Sequence, residues 1–278
     1  MSEVTNSGIN HQVYKAQSGD ALPAQVSKTI VVLGPRSVTT AGFTGRGELV
    51  MINHNDYKKS LSPWIIDFFE HEFLNNELLH EPYKVMAAFV ATDKAMLIPE
   101  LLYNEDEADK WLRQVYFIEK NEIVSNHFLR DDKANYTFAW PTGIRVLVGR
   151  YFSKAKILPY SAYQFHKPTR AENLLQCSID ADHVYATLYK NRTLSWHQVF
   201  SYENTEDIAY QLKHVCKQYS IDESVLTLQC TTANTSLNNV VSELSQYFPN
   251  METANVSSAN PDWNGTIQLI QQLYACAL

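Results

Sequence analysis

The feature that most constrains the fold is one order of structural elements that the sequence repeats. Each half begins with three β-type runs separated by turn-forming residues and continues with an amphipathic helix, a buried strand and a second helix. The opening runs are Ser27–Leu33, Ser37–Phe43 and Glu48–Asn53 in the first half, and Leu174–Ile179, Val184–Tyr189 and Leu194–Ser201 in the second. The halves share this pattern and not their residues, so the order β-β-β-α-β-α predicts an internally duplicated α/β fold with mixed sheets.

Changes in composition set the expected boundaries of the two units. Ser161–Ala171 is polar, contains a proline and follows neither period, which predicts a linker. We therefore expect a first domain over residues 27–171 and a second over residues 172–278, both of ordinary domain size. Residues 1–26 are rich in Ser, Asn, Gln and Gly without sustained periodicity, which predicts a mobile and dispensable N-terminal tail.

A helix from about Gly265 is predicted to end the chain. Its apolar side chains fall on one helical face, so we expect them to be buried against the second domain. These side chains are Ile267, Ile270, Leu273, Tyr274 and Ala277.

Charge and hydropathy exclude several partner classes. The formal net charge of −7 argues against sequence-independent binding of nucleic acid, which depends on Lys and Arg at many phosphates. Uncharged apolar stretches such as Met86–Ala91 are far shorter than the roughly 18 residues that a membrane span needs. The first 27 residues contain Lys15 as their only basic residue and no apolar run, so no secretory signal is expected. We expect a cytoplasmic protein.

The cysteines are spaced too far apart for a metal site. Cys177, Cys216, Cys230 and Cys276 form no C-x-x-C pair and lie within or beside patterned segments. We therefore expect free thiols, mostly buried, and no zinc.

The repeated order resembles the ribonuclease H-like unit, duplicated as in the actin-like ATPase superfamily. Two segments, Leu97–Tyr103 and Phe200–Tyr210, are also similar to recurrent stretches of an uncharacterised bacterial family built on a domain of unknown function. The resemblance covers about Ser27 to Val256 and implies an actin-like ATPase fold. Because that family has no established activity, the resemblance implies no function.

The two turns where such ATPases bind phosphate lack the expected residues. An actin-type ATPase needs an Asp-x-Gly turn in each half, with glycine backbone N–H groups near the phosphates and a carboxylate that orients the metal. In the first turn Gly34 is present, but Val32 replaces the carboxylate and Pro35 has no N–H. The second turn has Asp180 and Asp182 but no glycine, and we interpret both aspartates as turn-capping residues.

No cation is predicted at either turn, since the nearest lysine is Lys190, beyond the second strand. Ribonuclease H-type chemistry, which needs acids on several elements to share a pair of Mg²⁺ ions, is not expected either. The first strand of the first half carries no acid, and in the second half Asp180 could serve but the fourth strand, Val225–Gln229, carries none. His71-Glu72 opens like a zinc-protease helix, but Asn75 stands where the second histidine belongs. These residues are expected on the solvent side of a helix.

The sequence therefore favours a non-catalytic actin-like scaffold or protein-interaction module that does not bind ATP. No catalytic residue, cofactor or metal is predicted, and the expected partners are proteins; a homodimer stays open. By fold analogy the scaffold would resemble the actin-like assembly proteins of type IV pili. The alternative is a divergent ATPase or phosphotransferase that binds nucleotide between the halves, with Gly34, Asp180 and Asp182 as the candidate site residues.

Overall fold

Three β-sheets and six α-helices make up the part of the chain that the computed structural model describes, residues 9–16, 23–166, 171–252, 256, 258 and 260–278. The strands are β1 (Ile9–Lys15), β2 (Lys28–Leu33), β3 (Ser37–Phe43), β4 (Leu49–Tyr57), β5 (Val85–Val90), β6 (Ala95–Pro99), β7 (Glu122–Leu129), β8 (Ala134–Pro141), β9 (Lys156–Pro159), β10 (Asn173–Ile179), β11 (His183–Lys190), β12 (Thr193–Ser201), β13 (Leu226–Thr232) and β14 (Met251–Glu252). The α-helices are α1 (Ile66–Asn75), α2 (Ala108–Val115), α3 (Thr142–Tyr151), α4 (Thr205–Gln218), α5 (Asn238–Leu244) and α6 (Asn264–Ala277).

The two larger sheets have the same topology. The first has the order β1-β4-β3-β2-β5-β9 and the second β12-β11-β10-β13-β14. In each, three antiparallel strands are followed by a parallel neighbour, β5 beside β2 and β13 beside β10. The strands from β4 to β9 in the first sheet thus correspond one by one to those of the second. The duplicated α/β architecture with mixed sheets is confirmed.

A small lobe interrupts the first half. Strands β6, β8 and β7 form a third sheet that is antiparallel throughout. Helix α2 packs on it where Leu112 of the helix and Ile118, which follows the helix, cluster with Ala139 of β8. The pattern β-β-β-α-β-α did not distinguish these strands from those of the main sheet. The reason is that an antiparallel hairpin has the same local periodicity wherever it inserts.

Residues 9–15 correct the prediction of a structureless N-terminal tail. They form β1, which pairs antiparallel with β4 at the edge of the first sheet. Only Tyr14 of this strand is buried, because the strand gains its order from pairing with β4 and not from an apolar face of its own. The sequence of such a strand shows almost no periodicity of apolar residues. Residues 1–8 and 17–22 lie outside the described part of the chain.

The linker prediction is also wrong over its first residues. Tyr160–Phe165 is a 3₁₀ helix whose six residues are all buried. Gln164 is the clearest case, since its amide donates to the Tyr185 carbonyl at 2.9 Å and accepts from the Thr187 hydroxyl at 3.0 Å. Gln164 is polar because it forms hydrogen bonds inside the protein, and not because it is exposed to solvent. Residues 167–170 of the predicted linker lie outside the described residues.

Helix α6 lies between the two main sheets. The predicted face is buried, with Ile267, Ile270 and Leu273 at 2% exposure or less. The expectation that it packs against the second half alone is incomplete, because α6 contacts β5 as well as β13. Tyr274 stacks on Phe43 of β3, with ring centroids 3.9 Å apart. The helix thus shares one apolar cluster with residues of both halves.

The cysteines are free, and three of the four are buried; Cys276 is half-buried. No helix in the described ranges combines the length and hydropathy that crossing a membrane requires.

Candidate functional site: the facing turns

The structure brings together the two turns that the sequence singled out. The turn between β2 and β3 contains Gly34 and Arg36, and the equivalent turn between β10 and β11 contains Asp180 and Asp182. Arg36 Nη1 donates to Asp182 Oδ2 at 2.7 Å, and both side chains are largely buried. All three candidate residues therefore lie at one junction, which an ion pair between the halves closes.

The first turn has little capacity left to bind an anion. Gly34 donates its backbone N–H to the Ser37 carbonyl at 2.9 Å, and Pro35 has no N–H to offer. A Cβ at Gly34 would lie 2.5 Å from the Ser37 hydroxyl oxygen, so any larger residue would force the Ser37 side chain to rotate. The glycine that suggested a phosphate site thus has a local structural reason.

Asp180 occupies the donors of the second turn. Its Oδ1 accepts the backbone N–H groups of Asp182 at 2.7 Å and His183 at 2.5 Å, which confirms its predicted role as a turn cap. Burial raises the pKa of the Asp180 carboxyl above its usual value, against the lowering effect of His183 and these hydrogen bonds. The two N–H groups that could face a phosphate are already bonded to a side chain.

Asp182 has a different role from the predicted turn cap. It pairs with Arg36, and Lys59, in the segment between β4 and α1, places its Nζ 3.9 Å from Asp182 Oδ1. The junction therefore holds two cations that the sequence analysis did not assign to it. Arg36 could have been noticed, because it lies in the singled-out turn itself. Lys59 gave no such signal, because it reaches the turn only through the fold.

A buried histidine extends the junction into the space between the halves. His54 on β4 is 1% exposed; its Nδ1 lies 2.7 Å from the Thr39 hydroxyl and its Nε2 lies 3.1 Å from Asp56 Oδ2. The same Nε2 is 3.2 Å from Nδ2 of Asn234, which follows β13 in the second half. His54 was not among the predicted site residues.

Two cavities border the Arg36–Asp182 pair. The one that contains His54 and Asp180 encloses about 150 Å³, well below the roughly 300 Å³ at which small-molecule pockets begin. The other encloses about 640 Å³ and extends past Trp64 to the small lobe, where Lys94 is paired with Glu122 at 2.7 Å. Its size would admit a nucleotide.

The wall of the larger cavity contains an unusual backbone conformation. Trp64 has a left-handed φ of 61°, and its N–H donates to the Pro35 carbonyl at 2.6 Å. The contact lies directly before α1, which begins at Ile66. A left-handed tryptophan is rare and is retained where the surroundings require it.

Mg-ATP, which an actin-like ATPase fold implies, does not fit the residues of this junction. The N–H groups of Gly34, Asp182 and His183 are already bonded within their own turns, Arg36 is neutralised by Asp182, and no glycine stands in the second turn. Among the described residues no three His, Cys, Asp or Glu side chains group as metal ligands.

Comparison with known proteins adds the family. A family model described as "Protein of unknown function (DUF3822)" matches residues 44–251, most of the chain. The chain belongs to the DUF3822 family. No curated protein matches this DUF3822 member.

Solved structures similar to this DUF3822 protein agree on its fold. A Bacteroides thetaiotaomicron VPI-5482 protein, described as having an actin-like ATPase fold and unknown function, superposes with a TM-score of 0.73 at 17% identity, over 92% of this chain and 99% of that one. A structure of the PilM-PilN type IV pilus biogenesis complex superposes with a TM-score of 0.58 at 11% identity, over 91% and 99%. The DUF3822 protein has an actin-like ATPase fold.

Proposed function

We propose that this DUF3822 protein is a non-catalytic, cytoplasmic protein-interaction module. Its two actin-like halves, residues 27–171 and 172–278, hold each other at the junction where an ATPase would hold nucleotide. The observation that carries the proposal is the 2.7 Å ion pair between Arg36 and Asp182, which joins the two equivalent turns directly.

Charge and hydrogen-bond donors at the junction are unfavourable for a triphosphate. A triphosphate is stable in a cleft only where backbone N–H groups, cations or a bound metal compensate its charge. At this junction Asp180 and Asp182 contribute two carboxylates, and the two cations beside them already face Asp182. An entering triphosphate would have to break the Arg36–Asp182 pair and then face Asp182 uncompensated.

The proposal that the partner is a protein rests on the fold neighbours. The PilM neighbour is described in a complex with PilN, and the Bacteroides neighbour is described with no function. At these identities the likeness is one of fold, so the partner of this chain is proposed by analogy.

Isothermal titration calorimetry with Mg-ATP tests the proposal on the intact chain. We expect no saturable heat at millimolar ATP for the wild type. Asp182→Asn serves as the matched variant, because it removes the carboxylate that neutralises Arg36 and keeps the shape of the side chain. A saturable wild-type isotherm that Arg36→Met abolishes would overturn the proposal, since Arg36 would then bind phosphate.

The alternative, a divergent nucleotide-binding protein, is favoured by one observation, the cavity of about 640 Å³ beside Trp64. If nucleotide entered there, it would contact Lys94 and Glu122 and need not break the turn pair. Hydrogen exchange of backbone amides around this cavity, measured with and without Mg-ATP, tests the alternative. Slower exchange with Mg-ATP that Lys94→Met abolishes and Arg36→Met leaves unchanged would support the alternative against our proposal.

A further inference from the structure

Strand β1 leaves one edge of the first sheet unpaired. It pairs with β4 on one side, and no strand of the described residues pairs with its other side. The edge is seven residues long and contains no proline, so it can accept a further strand.

The residues that face the free edge can be read from the pairing. Ala16, directly after β1, donates its N–H to the Val50 carbonyl on β4 at 2.9 Å. Backbone groups of an antiparallel pair alternate between the two sides, so the even residues of β1 face β4. The odd residues therefore direct their N–H and C=O groups outward. They are Ile9, His11, Val13 and Lys15.

A polar groove of about 550 Å³ runs between β1 and the C-terminal half of α1. The side chains of the odd β1 residues line it, together with Asn53 and Glu72. Both of these residues are 5% exposed. The Asn53 Oδ1 atom is buried with no hydrogen-bond partner, so the groove contains an acceptor that nothing satisfies.

Glu72 adds a buried negative charge. One of its oxygens accepts from Asn55 Nδ2, and Asn55 in turn contacts His11 Nδ1 on β1. Its only described ion-pair neighbour is His71, at 3.6 Å, so no Lys or Arg compensates it. Glu72 is thus buried, and the prediction that it lies on the solvent side of a helix is wrong. A buried carboxylate of this kind is stabilised by a cation that enters the groove.

The cation that fits is present on the same strand. Lys15 is exposed, and no carboxylate of the described residues lies within ion-pair distance of it. It lies four positions along β1 from His11 and lines the same groove, but it forms no ion pair with its own Glu72. A strand that ran antiparallel to β1 would place an equivalent lysine beside His11.

We propose that β1 is the dimer interface of this protein, with a second copy of the chain as the occupant of the free edge. The two β1 strands pair antiparallel about a two-fold axis at Val13. Val13 is 38% exposed and lies opposite its own equivalent on the axis. His11 then lies opposite the partner's Lys15, whose ammonium group enters the groove towards Glu72 and Asn53.

This arrangement is self-complementary, as a two-fold interface must be. Each copy supplies one lysine and receives one, so both buried carboxylates are compensated by a single symmetric contact. The outward backbone groups of both strands gain partners at the same time.

Sedimentation velocity on the full chain, from about 1 to 100 µM, tests the interface through its concentration dependence. We expect a reversible dimer for the wild type. Val13→Pro should remain monomeric, because proline removes an outward N–H and leaves the pairing with β4 intact. Val13→Thr keeps that N–H and is the matched control, which should dimerise.

The charge is tested separately. Lys15→Glu should weaken dimerisation at least tenfold, since it places a carboxylate beside Glu72, whereas Lys15→Arg should keep it. Circular dichroism checks that each variant is folded. The proposal is overturned if the wild type stays monomeric over the whole concentration range. That holds also if the free edge of β1 binds another protein instead of a second copy. A dimer that Val13→Pro leaves unchanged overturns it as well.

Discussion

At the scale of single residues, Asp180 links a local turn to the chemistry of the whole junction. Its carboxylate satisfies two backbone donors, and its burial raises its pKa. The first effect stabilises the turn through hydrogen bonds to a charged group. The second means that the folded protein retains the Asp180 proton to a higher pH than the unfolded chain does.

The raised pKa predicts a dependence of stability on pH. Asp180→Asn keeps an oxygen that can accept both N–H groups but has no charge to bury. As pH rises from the unfolded carboxyl value of about 3.9 through the raised folded value, the wild type loses stability relative to this variant. Urea unfolding of both proteins at several pH values from about 4 to 7 measures the difference. A constant difference over that range would contradict the prediction.

The two hydrogen bonds that Asp180 accepts predict a second effect on stability. Asp180→Ala leaves the N–H groups of Asp182 and His183 without their acceptor in a buried turn, which should cost about 1–3 kcal/mol of unfolding free energy relative to Asp180→Asn, at any pH. Asp180→Asn is the control, since it retains the acceptor. Equal destabilisation by both substitutions would show that the charge, and not the hydrogen bonding, holds the turn.

The Arg36–Asp182 pair predicts a coupling between the halves. Removing one partner leaves the other charge largely buried, so Arg36→Met and Asp182→Asn should each destabilise the fold by about 1–3 kcal/mol, below the value for a fully buried pair. The double variant should cost less than the sum of the two. Guanidinium unfolding of the four proteins gives the coupling energy, and strict additivity would mean that the pair contributes nothing.

These residues also show what sequence reasoning could reach. The capping role of Asp180 was predictable because donor and acceptor lie within three positions in one turn. The Arg36–Asp182 contact spans 146 positions, so no local pattern contains it. Gly34 pointed to a phosphate site, whereas in the structure its N–H is bonded to the Ser37 carbonyl and its Cα lies close to the Ser37 side chain.

At the scale of elements, periodicity located strands and helices wherever they had an apolar face of their own. It failed for β1 and for the helix at Tyr160–Phe165, whose order comes from partners far away in sequence. It identified the buried face of α6 but not the surface on which α6 packs, because a helical stripe shows that a face is buried and not what covers it.

We expect substitutions on the two faces of helix α6 to differ in their effect on stability. Leu273 is fully buried between the sheets, so Leu273→Ala should cost about 2–5 kcal/mol through lost contacts and a residual cavity. Gln271 is exposed on the same helix, and Gln271→Ala should change stability by less than about 0.5 kcal/mol. Thermal unfolding of both variants provides the comparison. A Leu273→Ala protein with the melting temperature of Gln271→Ala would exclude the described packing of α6.

At the scale of the whole molecule, contacts far apart in the structure join the halves, among them α6, the Arg36–Asp182 pair and β1. The third is the least expected, because β1 belongs to the predicted tail. Gln12 on β1 donates to Ser236 Oγ at 2.8 Å and accepts from Thr235 Oγ1 at 2.9 Å, both in the second half. Tyr14 on the same strand packs on Trp263, with ring centroids 5.6 Å apart. The strand thus connects the two sheets from outside the main repeat.

This connection predicts how the protein unfolds. Gln12→Ala combined with Tyr14→Ala removes the contacts of β1 with the second half and leaves its backbone pairing with β4. Because cooperativity depends on contacts between units, the variant should lose stability and unfold over a broader range of temperature, whereas the wild type should unfold in one transition.

Asn10→Ala is the matched control for this variant, because Asn10 Nδ2 donates to Asp56 at 3.2 Å, within the first half. Differential scanning calorimetry gives the ratio of calorimetric to van't Hoff enthalpy for each protein. We expect a ratio near that of the wild type for Asn10→Ala and a clearly higher one for the double variant. Equal ratios in all three proteins would mean that the halves unfold as one cooperative unit without the contacts of β1.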